Sequence, residues 1–200
     1  MFLIGLTGGI AAGKTTVAGH WVSLGGIEID ADKLAREVVG PGTKGIDQIR
    51  QIFGKSVFSS DSSLDRQKLG ELVFNDPEKR LALEGIIHPL VRQRASELLT
   101  ELPQNSMVIY TVPLLVEANV SLPFDVIVSV EAPEADRVKR LVSSRGMSAE
   151  QALARIKSQA SAIERAAAAD YILNSNQPLP SLLADASALW NKFQIMSQAK

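Results

Sequence analysis

The residues with the most explicit chemistry in this sequence are Gly8-Gly9-Ile10-Ala11-Ala12-Gly13-Lys14-Thr15, which satisfy the spacing G-x-x-x-x-G-K-[ST]. Glycines let a loop wrap closely around an anion because no Cβ intervenes, and amides at a helix start point toward negative charge. A lysine after the second glycine of the spacing reaches β- and γ-phosphates, and the hydroxyl that follows is a ligand for Mg²⁺. The expected nucleotide-binding set is Ala11, Ala12, Gly13, Lys14, Thr15 and Thr16, with Thr15 on the metal. A match of this kind arises by chance in on the order of 1% of chains this long. Here it also follows an apolar run and opens a helical pattern, which is the context the loop requires.

The next chemical feature is the acid pair in Ile29-Asp30-Ala31-Asp32, at the end of a second apolar run. In an open parallel sheet the carboxyl ends of neighbouring strands share one crevice, so these acids are expected to face bound phosphates. Two carboxylates there can divide the work, one near the metal and one accepting a proton from an acceptor hydroxyl. The bland alternative is that one of them caps a helix starting near Lys33. A guanine-reading N-K-x-D is missing, since the only Asn-Lys pair, Asn191-Lys192, is followed by Phe193-Gln194. Farther along, His88-Pro89 reads as a helix kink or end, and Arg66 and Arg92 taken singly read as surface or capping residues.

The elements that must position these groups alternate along the chain. Short apolar runs at 2–6, 26–29, 107–112, 125–130 and 171–173 predict strands. Helices are expected from Lys14 and Asp32, twice between Thr43 and Leu102, and from Pro133, Ser148 and Pro180. This is the α/β pattern of a five-stranded parallel sheet flanked by helices, a P-loop NTPase fold. About 75 residues separate the second and third runs, far more than a crossover needs. The excess predicts an inserted helical lobe over 36–104, with a core of 1–35, 105–135 and 166–200. Residues 137–165 hold seven Lys or Arg against two Glu, and the helices predicted there, one opened by Ser148-Ala149-Glu150-Gln151, form a basic excursion at 136–165. A solvated basic face is the competing view of that excursion.

Bulk properties add limits. With 200 residues one domain is expected, and a net charge of −1 gives no global pull toward nucleic acid or membrane. The chain has no cysteine, and its two histidines, His20 and His88, cannot make a zinc site alone. The apolar start has no basic leader, so it reads as a buried strand rather than a signal segment. A cytoplasmic monomer is the expectation.

In this order and spacing, the pieces resemble the dephospho-coenzyme A kinase family over nearly the whole chain. The resemblance rests on Leu6-Thr7-Gly8-Gly9-Ile10 with Gly13-Lys14-Thr15, on Asp30-Ala31-Asp32 with Ala35-Arg36 and Pro41-Gly42, and on Leu64-Asp65-Arg66 and His88-Pro89. Val112-Pro113-Leu114-Leu115-Val116-Glu117, Arg140, Arg155-Ile156, Gln159 and Ala169-Asp170-Tyr171-Ile172 complete it. It implies transfer of the ATP γ-phosphoryl group to the 3′-hydroxyl of the ribose of dephospho-coenzyme A, with ATP and that acceptor as partners and Mg²⁺ as cofactor. By position it implies Asp32 as general base, Asp30 beside the metal or its waters, and Lys14 on the phosphates. Thr7, Asp32, Arg66, His88, Pro113 and Leu114 fall on the acceptor side, and Arg140 in a lid closing over the nucleotide. The chain departs from the family pattern at Ser144, where the second lid arginine is expected, at Ser62-Ser63, in place of a glycine turn, and at Ser175-Asn176. Two other readings are another small-metabolite or nucleoside monophosphate kinase on the same scaffold, and a nucleotide-binding regulator without transfer chemistry.

Overall fold

The structure is a computed structural model that describes residues 1–59, 61–74, 76–113, 115, 120 and 122–199. In chain order its elements are β1 (Phe2–Gly8), α1 (Lys14–Ser23), β2 (Ile27–Asp30), α2 (Ala31–Glu37), α3 (Lys44–Phe53), a 3₁₀ turn (Lys55–Val57), α4 (Arg66–Phe74) and α5 (Pro77–Glu101). There follow β3 (Met107–Thr111), β4 (Val126–Glu131), α6 (Glu134–Arg145), α7 (Ala149–Lys157), α8 (Ala162–Ala168), β5 (Tyr171–Asn174) and α9 (Leu179–Gln198). They fall into two compact units, Met1–Asp30 with Pro103–Lys200, and Ala31–Leu102.

The first unit is built on a parallel sheet of order β2-β3-β1-β4-β5. Its strands are the five runs read from the sequence, with ends moved by at most two residues. Every residue of β1 is buried, as expected for a central strand with neighbours on both edges and cover on both faces. Against one face pack α1 and α9, whose Trp21, Trp190 and Phe193 join Phe2, Ile4 and Leu6 in the main core. The Trp21 ring centroid is 6.0 Å from both Trp190 and Phe193, and its indole N–H donates to the Ala186 carbonyl at 2.8 Å.

The second unit is helical, and its core gathers Val39, Ile49, Phe53, Val57, Leu69 and Ile86. Two helices were expected between 43 and 102, whereas three α-helices and the 3₁₀ turn occupy this stretch. Local capping decides this. Thr43 Oγ1 accepts from Ile46 N to start α3, Asp65 Oδ1 accepts from Lys68 N at the start of α4, and Asp76 Oδ1 accepts from Glu78 N and Lys79 N to start α5. The expectation of an end or kink at His88-Pro89 meets a helix that runs through: Pro89 lies inside the 25-residue α5. Proline removes the amide that would bond the Gly85 carbonyl, but Ile86, Ile87 and Leu90 around it are held in the core.

One further helix, α8, was not foreseen. A capping box opens it, with Ser161 Oγ accepting from Glu164 N and the Glu164 carboxylate accepting from Ser161 N. No helix among the described residues is long and apolar enough to cross a membrane.

Candidate active site

The sheet fixes one row of strand ends. Asp30 stands opposite Thr111, Thr111 opposite Leu6, Gly8 opposite Val130, and Glu131 opposite Asn174. The chain leaves β1 at Gly8 and turns through Gly9–Gly13 into α1, so the glycine-rich loop lies at the carboxyl edge of the sheet, between strands whose connections diverge. Gly8 is required by contact: a Cβ there would sit 2.5 Å from the Val130 carbonyl oxygen. Gly13 is required by conformation, since it takes φ 103 in the left-handed region as it enters α1.

The start of α1 is open. No side chain caps it and no acid occupies its first turn, so its dipole favours an anion there. Lys14 and Thr15 are the first two residues of this helix, and Thr15 and Thr16 are exposed. Within the loop, Ala12 N donates to Gly9 O at 3.0 Å. Ala11 adopts φ 59, a left-handed conformation rare for a residue with a side chain.

The acids are placed differently from each other. Asp30 ends β2 in the sheet unit, half-buried, and α2 begins at Ala31, so Asp32 falls in the first turn of that helix and is exposed. The helix thus starts one residue before the expected Asp32, which is inside it rather than capping it. Asp30 is close enough to Tyr110 for its charge to matter. Burial, and then the Asp30 carboxylate, push the Tyr110 phenol up to about 12.

Thr7 is wholly buried in β1, and its hydroxyl donates to the Pro113 carbonyl at 3.4 Å. It therefore meets the segment after β3 through Pro113. Leu114 lies outside the described residues, as do Val116 and Glu117. Arg66 begins α4, exposed, with one guanidinium nitrogen donating to Arg36 O at 3.2 Å, and His88 lies half-buried on α5. These two belong to the helical unit.

The basic excursion is not simply a solvated face. Arg165, 1% exposed, donates from Nε and Nη2 to the two oxygens of Glu131 at 2.7 Å each, and Ser129 Oγ donates to the same carboxylate at 2.6 Å. This forked pair pins α8 to the end of β4. Arg137 is 5% exposed on α6 and donates from Nε to Ile10 O at 2.9 Å. Burial first, and then the neighbouring Arg165, lower its pKa from the usual arginine value. Arg140, one turn on, donates to Ala11 O at 3.0 Å and to Ser175 Oγ and O at 3.0 and 2.7 Å. Ser175 Oγ in turn donates to Ala12 O. Arg145, which follows Ser144, is exposed at the end of α6.

Arg140 and Ser175, with Ser143, Asn176 and Gln177, line a cavity of about 440 Å³, within the range of small-ligand sites. At Ser62, in the turn where the family pattern has glycine, the chain takes a left-handed φ of 66. The departure at Ser175 likewise has a visible use, as a hydroxyl bridging Arg140 and Ala12. Sequence reasoning missed Arg137 and the Glu131–Arg165 pair as parts of this region, and marked Ser175 only as a departure from the family pattern. Gln159 carried a signal as a landmark of the family resemblance, but bonds between residues 34 to 163 positions apart leave no local pattern.

An open helix start after a glycine-rich loop, at the carboxyl edge of a parallel sheet of this order, defines a P-loop kinase fold. A family model described as dephospho-CoA kinase matches residues 2–180, and the chain belongs to that family. It is 42% identical over 194 residues to a dephospho-CoA kinase of Thermobifida fusca, covering 97% of each sequence. Among solved structures it is similar to a Thermus thermophilus protein, with a TM-score of 0.82 at 32% identity over 96% of this chain and 97% of the other. A dephospho-CoA kinase from Campylobacter jejuni has a TM-score of 0.73 at 26% identity, with 96% of each chain covered. Membership in this family leaves the alternative of another small-metabolite or nucleoside monophosphate kinase unfavoured.

Proposed function

We propose that the protein transfers the γ-phosphoryl group of ATP to the 3′-hydroxyl of the ribose of dephospho-coenzyme A, giving coenzyme A and ADP, the last step of coenzyme A synthesis. The observation that carries the nucleotide half is the uncapped start of α1 behind left-handed Gly13. The acceptor half rests on membership in the dephospho-CoA kinase family.

Ala11 to Thr16 wrap the phosphates, and Lys14 lies along the β- and γ-phosphates, where its charge offsets that of the leaving group. Asp32 accepts the proton of the acceptor hydroxyl as its oxygen bonds to the γ-phosphorus and the bond to the bridging oxygen of ADP breaks. Arg140 belongs to the lid that closes over the nucleotide. Thr7 acts through Pro113, and Leu114, Arg66 and His88 contact the acceptor, the last two from the helical unit. In domain terms 36–104 is the acceptor lobe and 136–165 the lid, which limits hydrolysis by keeping water out.

The Thr15 hydroxyl and the Asp30 carboxylate are hard oxygen donors that fit Mg²⁺. Among the described residues no group of three or more His, Cys, Asp or Glu could hold an ion unaided, which fits an ion that arrives with nucleotide oxygens. Bound there, Mg²⁺ would supply neutralisation of charge on the transferring phosphoryl group. A cytoplasmic monomer, without nucleic-acid or membrane partners, is the setting we assign to this reaction.

The test is ADP release in a coupled assay with Mg-ATP, with and without dephospho-coenzyme A. A rate that rises steeply with this acceptor is expected; a flat response together with turnover on another alcohol would refute the assignment.

A further inference from the structure

The phosphate loop is held from behind by residues that its motif does not contain. Ile10 has both main-chain groups engaged by side chains: its N–H donates to Gln159 Oε1 at 2.7 Å, and its carbonyl accepts from Arg137 Nε at 2.9 Å. The two side chains are themselves joined, Arg137 Nη2 donating to the same Gln159 Oε1 at 3.3 Å. The next residue, Ala11, sits in the left-handed region at φ 59, a conformation that persists only where the surroundings over-determine it. Those surroundings are present. Ile10 and Ala11 pack against Leu141, Ala152 and Ile156 of α6 and α7, together with Val138 and Met147, and Arg140 holds the Ala11 carbonyl at 3.0 Å.

Gly9 supplies an independent sign. Its φ is outside the left-handed region, so its backbone would accept a side chain. A Cβ there, however, would lie 2.6 Å from Arg137 Cζ and Nη2. Gly9 is therefore flat because a guanidinium lies against it. Burying that cation against a carbonyl and an amide is unfavourable unless its bonds are fully made, so the arrangement has a use beyond packing.

We propose that Arg137 and Gln159 are positioning residues that hold the Gly9–Ala11 turn in its nucleotide-binding shape through the backbone of Ile10. Pre-shaping of this kind improves binding by removing the ordering penalty at the moment of association. The inference rests on the nucleotide reading of the loop.

The test uses the 200-residue protein and four variants, Arg137→Ala, Gly9→Ala, their double variant and Gln159→Leu, with Mg-ADP binding by calorimetry beside steady-state kinetics. Arg137→Ala is expected to raise the Mg-ADP Kd and the KM for ATP by roughly 10-fold while kcat stays within about 3-fold and the KM for dephospho-coenzyme A is unchanged. A loss of folded fraction alone would lower kcat and leave both KM values in place. Gly9→Ala should be similarly impaired in the parent but add nothing once Arg137 is gone, because its Cβ then meets no guanidinium. Gln159→Leu, which leaves the arginine in place, should show the same selective rise in KM for ATP and serves if Arg137→Ala folds poorly. Parental nucleotide affinity in Arg137→Ala or Gln159→Leu, or a Gly9→Ala penalty that is the same in both backgrounds, overturns the proposal. Failure of the parent protein to bind Mg-ADP would instead overturn the nucleotide reading.

Discussion

Asp32, the proposed base, and Glu131, a buried structural partner, are two carboxylates in different settings. Asp32 is exposed in the first turn of α2 and is the general base of the proposed transfer. Asp32→Asn keeps size and helix start while removing the base, so turnover should fall by roughly 10² to 10⁴ with nucleotide affinity nearly unchanged. Single-turnover phosphoryl transfer at the parental rate would remove Asp32 from that role. Glu131 is instead buried under Arg165 and Ser129. Glu131→Ala leaves the guanidinium of Arg165 buried without its carboxylate, and stability should drop by about 3–5 kcal/mol. Urea unfolding measures this, and a change under about 1 kcal/mol would show that the pair is not the tie it looks to be.

At the scale of elements, capping decides where the helices begin, and it makes one of them sensitive to acid. Asp76 accepts from two amides at the start of α5 and lies 2.9 Å from Lys79 Nζ. The bond to the Lys79 side chain, and then to its amide, lowers the Asp76 pKa below the ordinary 3.8. A carboxyl depressed in the folded state binds fewer protons there than in the unfolded chain. Its contribution is therefore fully present above the ordinary value and is lost as pH falls through the lower, folded one. Asparagine caps as well but does not titrate in this range. Between pH 7 and 3 the melting temperature of Asp76→Asn should fall less than that of the parent, by circular dichroism. Parallel curves would mean that Asp76 plays no part in the acid response.

For the whole molecule, the two tryptophans give a local reporter. Trp21 and Trp190 both lie in the core of the sheet unit, the unit that carries the phosphate loop. A ligand that binds only the folded state at 100 times its Kd adds about 2.7 kcal/mol. For a chain of this length that raises the tryptophan-detected melting temperature by roughly 5–10 °C. Mg-ATP should produce this shift, and Lys14→Ala should abolish most of it. An equal shift in Lys14→Ala would place nucleotide binding elsewhere.

What the sequence determined by itself had local or periodic causes, although the local box at Ser161–Glu164 that opens α8 went unread. The five strands were legible as short apolar runs, buried on both faces in β1, β3 and β4 and partly exposed in the edge strands β2 and β5. The loop was legible because close approach to phosphate demands glycines and a lysine at fixed spacing, and the capping box at Ser148 because its two hydrogen bonds join residues three apart. Tertiary structure alone decided the rest. That α5 passes through Pro89 depends on the core around Ile86 and Leu90, and that Arg165 is an internal tie depends on where β4 delivers Glu131. Ile10 meets Arg137 and Gln159 only after folding, across 127 and 149 positions of chain. No propensity or spacing encodes such a meeting, because its partners are selected by the packing of whole elements and not by their neighbours in sequence.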